Sequence, residues 1–223
     1  MKITWLAHAA FLIEGDGLRI ITDPYDPADL NLPPIRERAD VVIRSSSDDR
    51  AHAFVGTLPQ GYDLVTATEI TDRGATVRGL DIEAIWSQES LIHKDVPRDN
   101  AMYRFMVEGM DIAHMGDVGN PLSDRQLDAL SGIDVLLALV GGPPTIELED
   151  LEDVLNVVEP RLVIPMHFRI PGPKFSMLPA SAFTDRYPPE RVQRLGTSEL
   201  ELSRDTLPDD MQIYVLEPAI GPR

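Results

Sequence analysis

The sequence predicts an α/β protein in which two β-sheets are sandwiched between helices. Short apolar runs broken by turn residues fill the first half, as a strand-rich segment should. After Asp117 helical and strand-like periodicities alternate, which is the signature of strands laid side by side with helices covering them. No internal repeat, linker or low-complexity stretch divides the 223 residues, so a single domain over residues 1–223 is expected.

The elements follow in order. Residues 2–5, 11–13 and 18–21 read as strands, with Gly15-Asp16-Gly17 as the hairpin turn between the last two. Asp23-Pro24 ends the third strand, and the proline-rich residues 24–38 read as a surface loop. Residues 41–43 are a short buried strand leading into a polar stretch that ends at His52. Residues 64–67, 75–78 and 82–86 continue as β-type segments, and residues 102–107 and 110–113 flank Gly109 as a hairpin. Ser123 and Gln126 fit a capping box, Leu122 and Leu127 a hydrophobic staple, and Gly132 stands just past that helix. An apolar strand at 134–140 follows. A helix over 147–158 carries Leu148, Leu151, Leu155 and Val158 at helical spacing and stops at Pro160. Residues 162–166 are again an apolar strand. A short helix near 180–184 and a last strand at 212–216 complete the chain.

Composition narrows the function. Lys and Arg total 20 against 37 Asp and Glu, a net charge of −17. Such a surface repels a phosphate backbone, and without a basic stripe it argues against nucleic acid and anionic membrane partners. No run approaches the roughly 18 apolar residues of a membrane span, and the amino terminus has no signal-peptide pattern. The absence of cysteine excludes disulfides and thiolate ligands and suits a reducing cytoplasm.

Candidate chemistry lies at strand ends, where α/β folds display it. His8 follows the first strand, His114 stands two residues before Gly116-Asp117, and His167 closes an apolar strand. Glycine beside Asp117 permits a sharp turn that aims the carboxylate into a cleft. Histidine and carboxylate together form the nitrogen and oxygen donor set of zinc or a similar divalent ion. His52 and His93 sit in polar loops.

Residues 1–14, with Ala7-His8-Ala9 at their centre, then His114-Met115-Gly116-Asp117, residues 134–145 and Ile164-Pro165-Met166-His167-Phe168 together resemble the metallo-β-lactamase superfamily, in particular its small stand-alone hydrolase-like branch. The resemblance spans about residues 1–175 and implies a four-layer αββα sandwich. It also implies that Asp117 and His167 hold metal, with His93 as an intermediate histidine, and that His8, His114 and Arg50 line the cleft.

One departure is large. The superfamily's His-x-His-x-Asp-His motif should follow the strand at 41–43, but the chain reads Ser45-Ser46-Ser47-Asp48-Asp49-Arg50-Ala51-His52. One register puts Ser46, Asp48, Arg50 and Ala51 at the ligand positions. The other puts Ser45, Ser47, Asp49 and Arg50 there. Serine is a poor ligand and arginine never deprotonates, so the resemblance implies a reduced site, at most mononuclear. In a hydrolase, one zinc or manganese ion would be held by His93, Asp117 and His167, and one of Asp48, Asp49 or His52 would take a proton from water during hydrolysis of a small molecule. In a metal-free binding or regulatory protein, Arg50 or the nearby Arg44 would replace the metal's charge beside Asp117.

Overall fold

The computed structural model describes residues 1–174 and 176–220. Fourteen strands among the described residues form two sheets. The first takes the order β13-β1-β2-β3-β4-β5, from β1 (Lys2–Ala7), β2 (Ala10–Gly15), β3 (Leu18–Thr22), β4 (Val41–Arg44), β5 (Asp63–Thr66) and β13 (Glu199–Glu201). The second takes the order β12-β14-β11-β10-β9-β8-β7-β6, from β6 (Ala75–Val77), β7 (Leu80–Gln88), β8 (Asp99–Val107), β9 (Met110–His114), β10 (Val135–Leu139), β11 (Leu162–Met166), β12 (Val192–Arg194) and β14 (Gln212–Val215). Together with the helices outside them the sheets make the αββα sandwich.

The sheets meet through their inner faces. Trp5 of β1 packs its ring 4.8 Å from Phe168, Tyr103 of β8 reaches Asp23 at the end of β3, and the Ala101 N–H donates to the Ser45 carbonyl at 3.0 Å. β10 lies parallel to both β9 and β11. Every residue of β10 and β11 is buried. That is why Val-Leu-Leu-Ala-Leu and Leu-Val-Ile-Pro-Met are unbroken apolar runs rather than alternating ones. Their carboxyl ends open on one edge, with Asp117 beyond β9, Gly141 beyond β10 and His167 beyond β11.

Helix α1 (Pro27–Leu30) is followed by α2 (Asp124–Ala129), α3 (Leu148–Val158) and α4 (Ser181–Thr184). At α2 the Gln126 side-chain oxygen accepts the Ser123 backbone N–H at 2.9 Å, and Gly132 takes φ +77° beyond the helix end. α3 buries Leu148, Leu151, Val154, Leu155 and Val158, each worth about 1.5–3 kcal/mol of burial as an upper figure. Glu159 then turns left-handed at φ +49° ahead of Pro160.

One expectation is corrected. Residues 24–38 are a packed segment rather than a surface loop. Asp26 caps the Ala28 N–H at 2.8 Å, Pro27 opens α1, and Tyr25, Leu30, Leu32 and Ile35 are buried. The polar stretch after β4 is also folded inward, with Ser45, Ser46, Asp49 and His52 all buried. Among the described residues no helix is long and apolar enough to cross a membrane.

Candidate metal and active site

Three histidines converge at the edge where the strands end. His8 occupies the β1–β2 turn in the left-handed region, φ +54°. Its carbonyl accepts both the Trp5 indole N–H and the His167 backbone N–H, each at 3.0 Å, which ties the hairpin to the end of β11. His167 itself turns left-handed, φ +55°. Gly141 makes that turn possible, since a Cβ there would stand 1.9 Å from the His167 carbonyl oxygen. His52 arrives from the loop after β4. One ring nitrogen from each of His8, His52 and His167 lies within 4.8 Å of the others, and the same holds for single donor atoms of Asp49, His52 and Asp117. His52 Nε2 is 3.6 Å and His167 Nε2 3.8 Å from Asp117 Oδ1.

Gly116 lets Asp117 enter. It takes φ +61°, and a Cβ there would stand 2.9 Å from the Ala101 carbonyl oxygen. The other oxygen of Asp117, Oδ2, receives Lys94 Nζ at 2.9 Å, and the same ammonium lies 2.9 Å from Glu89 Oε1. Behind His52 stands Asp23, fully buried. It accepts the Ser45 N–H at 2.8 Å, the Ser45 hydroxyl at 2.7 Å and the Tyr103 hydroxyl at 2.9 Å, and His52 Nδ1 lies 3.1 Å from it.

These neighbours divide the histidines electrostatically. Burial would discharge His52, but Asp117, the bond to Asp23 and the nearby Asp49 outweigh it and push its pKa up to about 9. Burial lowers His167 to about 4 against the pull of Asp117. Burial also lowers His8 well below its ordinary value, reinforced by His167, His52 and Lys94. Asp117 resists the upward push of burial because His52 and Lys94 hold its carboxylate charged.

Sequence comparison agrees with the geometry. A family model described as the beta-lactamase superfamily domain matches residues 2–167. The chain belongs to the metallo-β-lactamase superfamily. A superfamily protein from Thermotoga maritima has a similar structure, with TM-score 0.76 and 30% identity over 97% of this chain and 98% of that one. The UPF0173 metal-dependent hydrolase of Carboxydothermus hydrogenoformans is 25% identical over 75% of this chain and 84% of its own length. The one from Alkaliphilus metalliredigens is 24% identical over 90% and 99%.

Within this metallo-β-lactamase frame, the rewritten motif can be placed in space. Asp49 lies with His52 and Asp117, which favours the register of Ser45, Ser47, Asp49 and Arg50. Ser45 bonds Asp23.

Several expected residues lie elsewhere. Arg50 does not face Asp117. It pairs with Asp26 and with Asp29 at 2.8 Å and lies over the Phe54 ring at 5.2 Å, so its charge stays in solvent where it costs little. Arg44 bonds Thr66 at 2.9 Å. His93 is outside both donor groups, with Nε2 3.1 Å from Glu147. The Ser90 hydroxyl accepts the Ile92 and His93 N–H groups, and the loop turns His93 outward while Lys94 points in. Asp48 is exposed beside Arg98. His114 is buried behind the cluster, stacked on Tyr103 at 4.9 Å. Its Nε2 is 2.8 Å from the Ala9 carbonyl, and its Nδ1 accepts the Gly116 N–H at 2.9 Å. Both ring nitrogens are thereby committed to backbone.

Sequence reasoning missed Lys94, Glu89, Asp23 and Tyr103. Asp23 carried a signal, a carboxylate at a strand end just before proline. Lys94 carried none beyond its place next to His93.

The donor set fits a divalent cation. The His52 and His167 nitrogens stand 3.6 and 3.8 Å from Asp117 Oδ1, close to the roughly 3.3 Å edge of a tetrahedron with ligands about 2 Å from its centre. His8 and His167 are neutral, as ligands must be, and His52 Nδ1 is backed by a carboxylate in the arrangement that orients a ligating imidazole.

Proposed function

We propose that this chain is a metal-dependent hydrolase with a reduced centre for one divalent ion, zinc or manganese, acting on a small-molecule substrate. The observation that carries this reading is the pair of overlapping donor groups sharing His52, which bring nitrogen and carboxylate donors together on the edge where the strands end. His52 Nε2, His167 Nε2 and Asp117 Oδ1 are the ligands this reading assigns, with His8 beside them. The ion, when bound, would polarise a carbonyl or phosphoryl oxygen and make water a better nucleophile at neutral pH. Asp49 is the residue assigned to accept the proton of the attacking water. Asp48 is too exposed for that task, and His52 is engaged by Asp23 and Asp117. Asp23, Ser45 and Tyr103 hold the His52 ring in the orientation this requires. The similarity to curated metal-dependent hydrolases supports the reaction class. Acyl esters, lactones and phosphodiesters all suit the fold, which does not choose among them. A single domain working in a reducing cytoplasm completes this reading.

The test is metal analysis of protein purified without chelator, followed by a panel of those three substrate classes. One equivalent of metal, and hydrolysis that chelator abolishes and Asp49→Asn lowers about 10²–10⁴-fold in kcat, would support the reading. The Lys94–Asp117 ion pair favours a second reading, a metal-free binding protein, because Asp117 already has a cation. Protein that neither contains nor takes up zinc or manganese would select that second reading.

A further inference from the structure

The two oxygens of Asp117 face different partners. Oδ1 faces the His52 and His167 nitrogens, while Oδ2 faces Lys94 Nζ at 2.9 Å. Lys94 is equally close to Glu89. Glu89 follows β7 directly and is buried, and its second oxygen accepts the Arg98 N–H at 3.1 Å. Two carboxylates facing one position offer the oxygen ligands that a hard divalent cation takes, and here an ammonium stands between them. The position is built from several directions. Ser90 turns the 90–94 loop by accepting two N–H groups, and Gly119 lies so close behind that a Cβ there would stand 2.1 Å from Ser90 N.

We infer that Lys94 is a built-in counter-ion standing where a second metal would sit, so that it limits the centre to one ion and orients Asp117 toward His52 and His167. Lys94 is thus a positioning residue, acting through Asp117. The count of one ion rests on the hydrolase reading above. The placement of Lys94 between Glu89 and Asp117 does not.

Manganese and zinc titrations, read by calorimetry and by metal content after dialysis, test this on the full chain. Wild type and Lys94→Arg should bind one ion. Lys94→Met and its neutral hydrogen-bonding counterpart Lys94→Gln should bind two, the second lost again in Lys94→Met/Glu89→Gln. Lys94→Gln can still donate to both carboxylates, so it keeps the test open if Lys94→Met folds poorly without metal. Lysine variants that bind one ion with affinity unchanged within about twofold would overturn the inference. So would two ions in wild type, or a second ion that survives the Glu89 change. No ion in wild type with one in the lysine variants would sustain the Lys94 assignment and refute the hydrolase reading. No ion in either would refute both.

Discussion

His52 sits between two carboxylates, with Asp23 on Nδ1 and Asp117 on the side of Nε2. Its folded pKa of about 9 lies above the ordinary 6.5. The stabilisation this gives the metal-free protein is therefore fully present below about pH 6.5 and is lost as pH rises through about 9. Thermal melts of metal-free protein from pH 6.5 to 9.5 should show stability falling by an amount on the order of 1–3 kcal/mol, and His52→Gln should flatten that slope. A wild-type slope unchanged in the variant would place the titration elsewhere. Metal affinity should rise over the same window, because a ligating His52 must first lose its proton. Asp23→Asn removes the charge and replaces one of the two acceptor oxygens that gather Ser45, Tyr103 and His52 with a donor, so it should cost about 2–4 kcal/mol and weaken metal binding about 10–100-fold; urea melts and a zinc titration measure the two effects. At this scale the sequence was legible where chemistry coincided with strand ends, as at His8, Asp117 and His167. His52 was visible only as a loop histidine. Lys94 was not visible, because a lysine in a polar loop is ordinarily solvated and only the Ser90 turn aims this one inward. Arg50 occupied a motif position, yet Asp26 and Asp29 hold it at the surface.

The site depends on how closely β10 and β11 end together. Gly141 follows β10 at the point where the His167 carbonyl crosses, and a Cβ at 1.9 Å from that oxygen meets backbone, which cannot swing aside. Gly141→Ala should therefore push the end of β11 away, costing about 2 kcal/mol or more and lowering metal affinity along with stability. Circular dichroism melts paired with a zinc titration check this, and a variant with wild-type affinity would separate the glycine from the site. β10, β11 and α3 were legible in the sequence because burial on both faces of a strand, or along one stripe of a helix, leaves an unbroken apolar pattern. β12 (Val-Gln-Arg) and β13 (Glu-Leu-Glu) were not. Each has three residues, too few for a period, and each depends on pairing with a neighbouring strand, β14 and β1 respectively.

For the molecule as a whole, the sandwich brings residues from distant parts of the chain to one edge: His8 and Asp49 from the first sheet, Asp117 and His167 from the second. An ion held by both sheets would bind the folded state and not the unfolded chain, so stability should rise with metal concentration. At about 100 times the dissociation constant the gain is about 2.7 kcal/mol, or roughly 5–10 °C in Tm for a chain of this size. Calorimetry with zinc, then with excess chelator, should show that shift appear and reverse. The most direct test of the central claim is an anomalous-difference map at the zinc edge from crystals of the full chain grown with zinc. The account expects one peak per chain, about 2.0–2.2 Å from His52 Nε2, His167 Nε2 and a carboxylate oxygen of Asp117, with Lys94 still paired to Glu89. No peak at that edge, or two peaks bridged by Asp117, would contradict it.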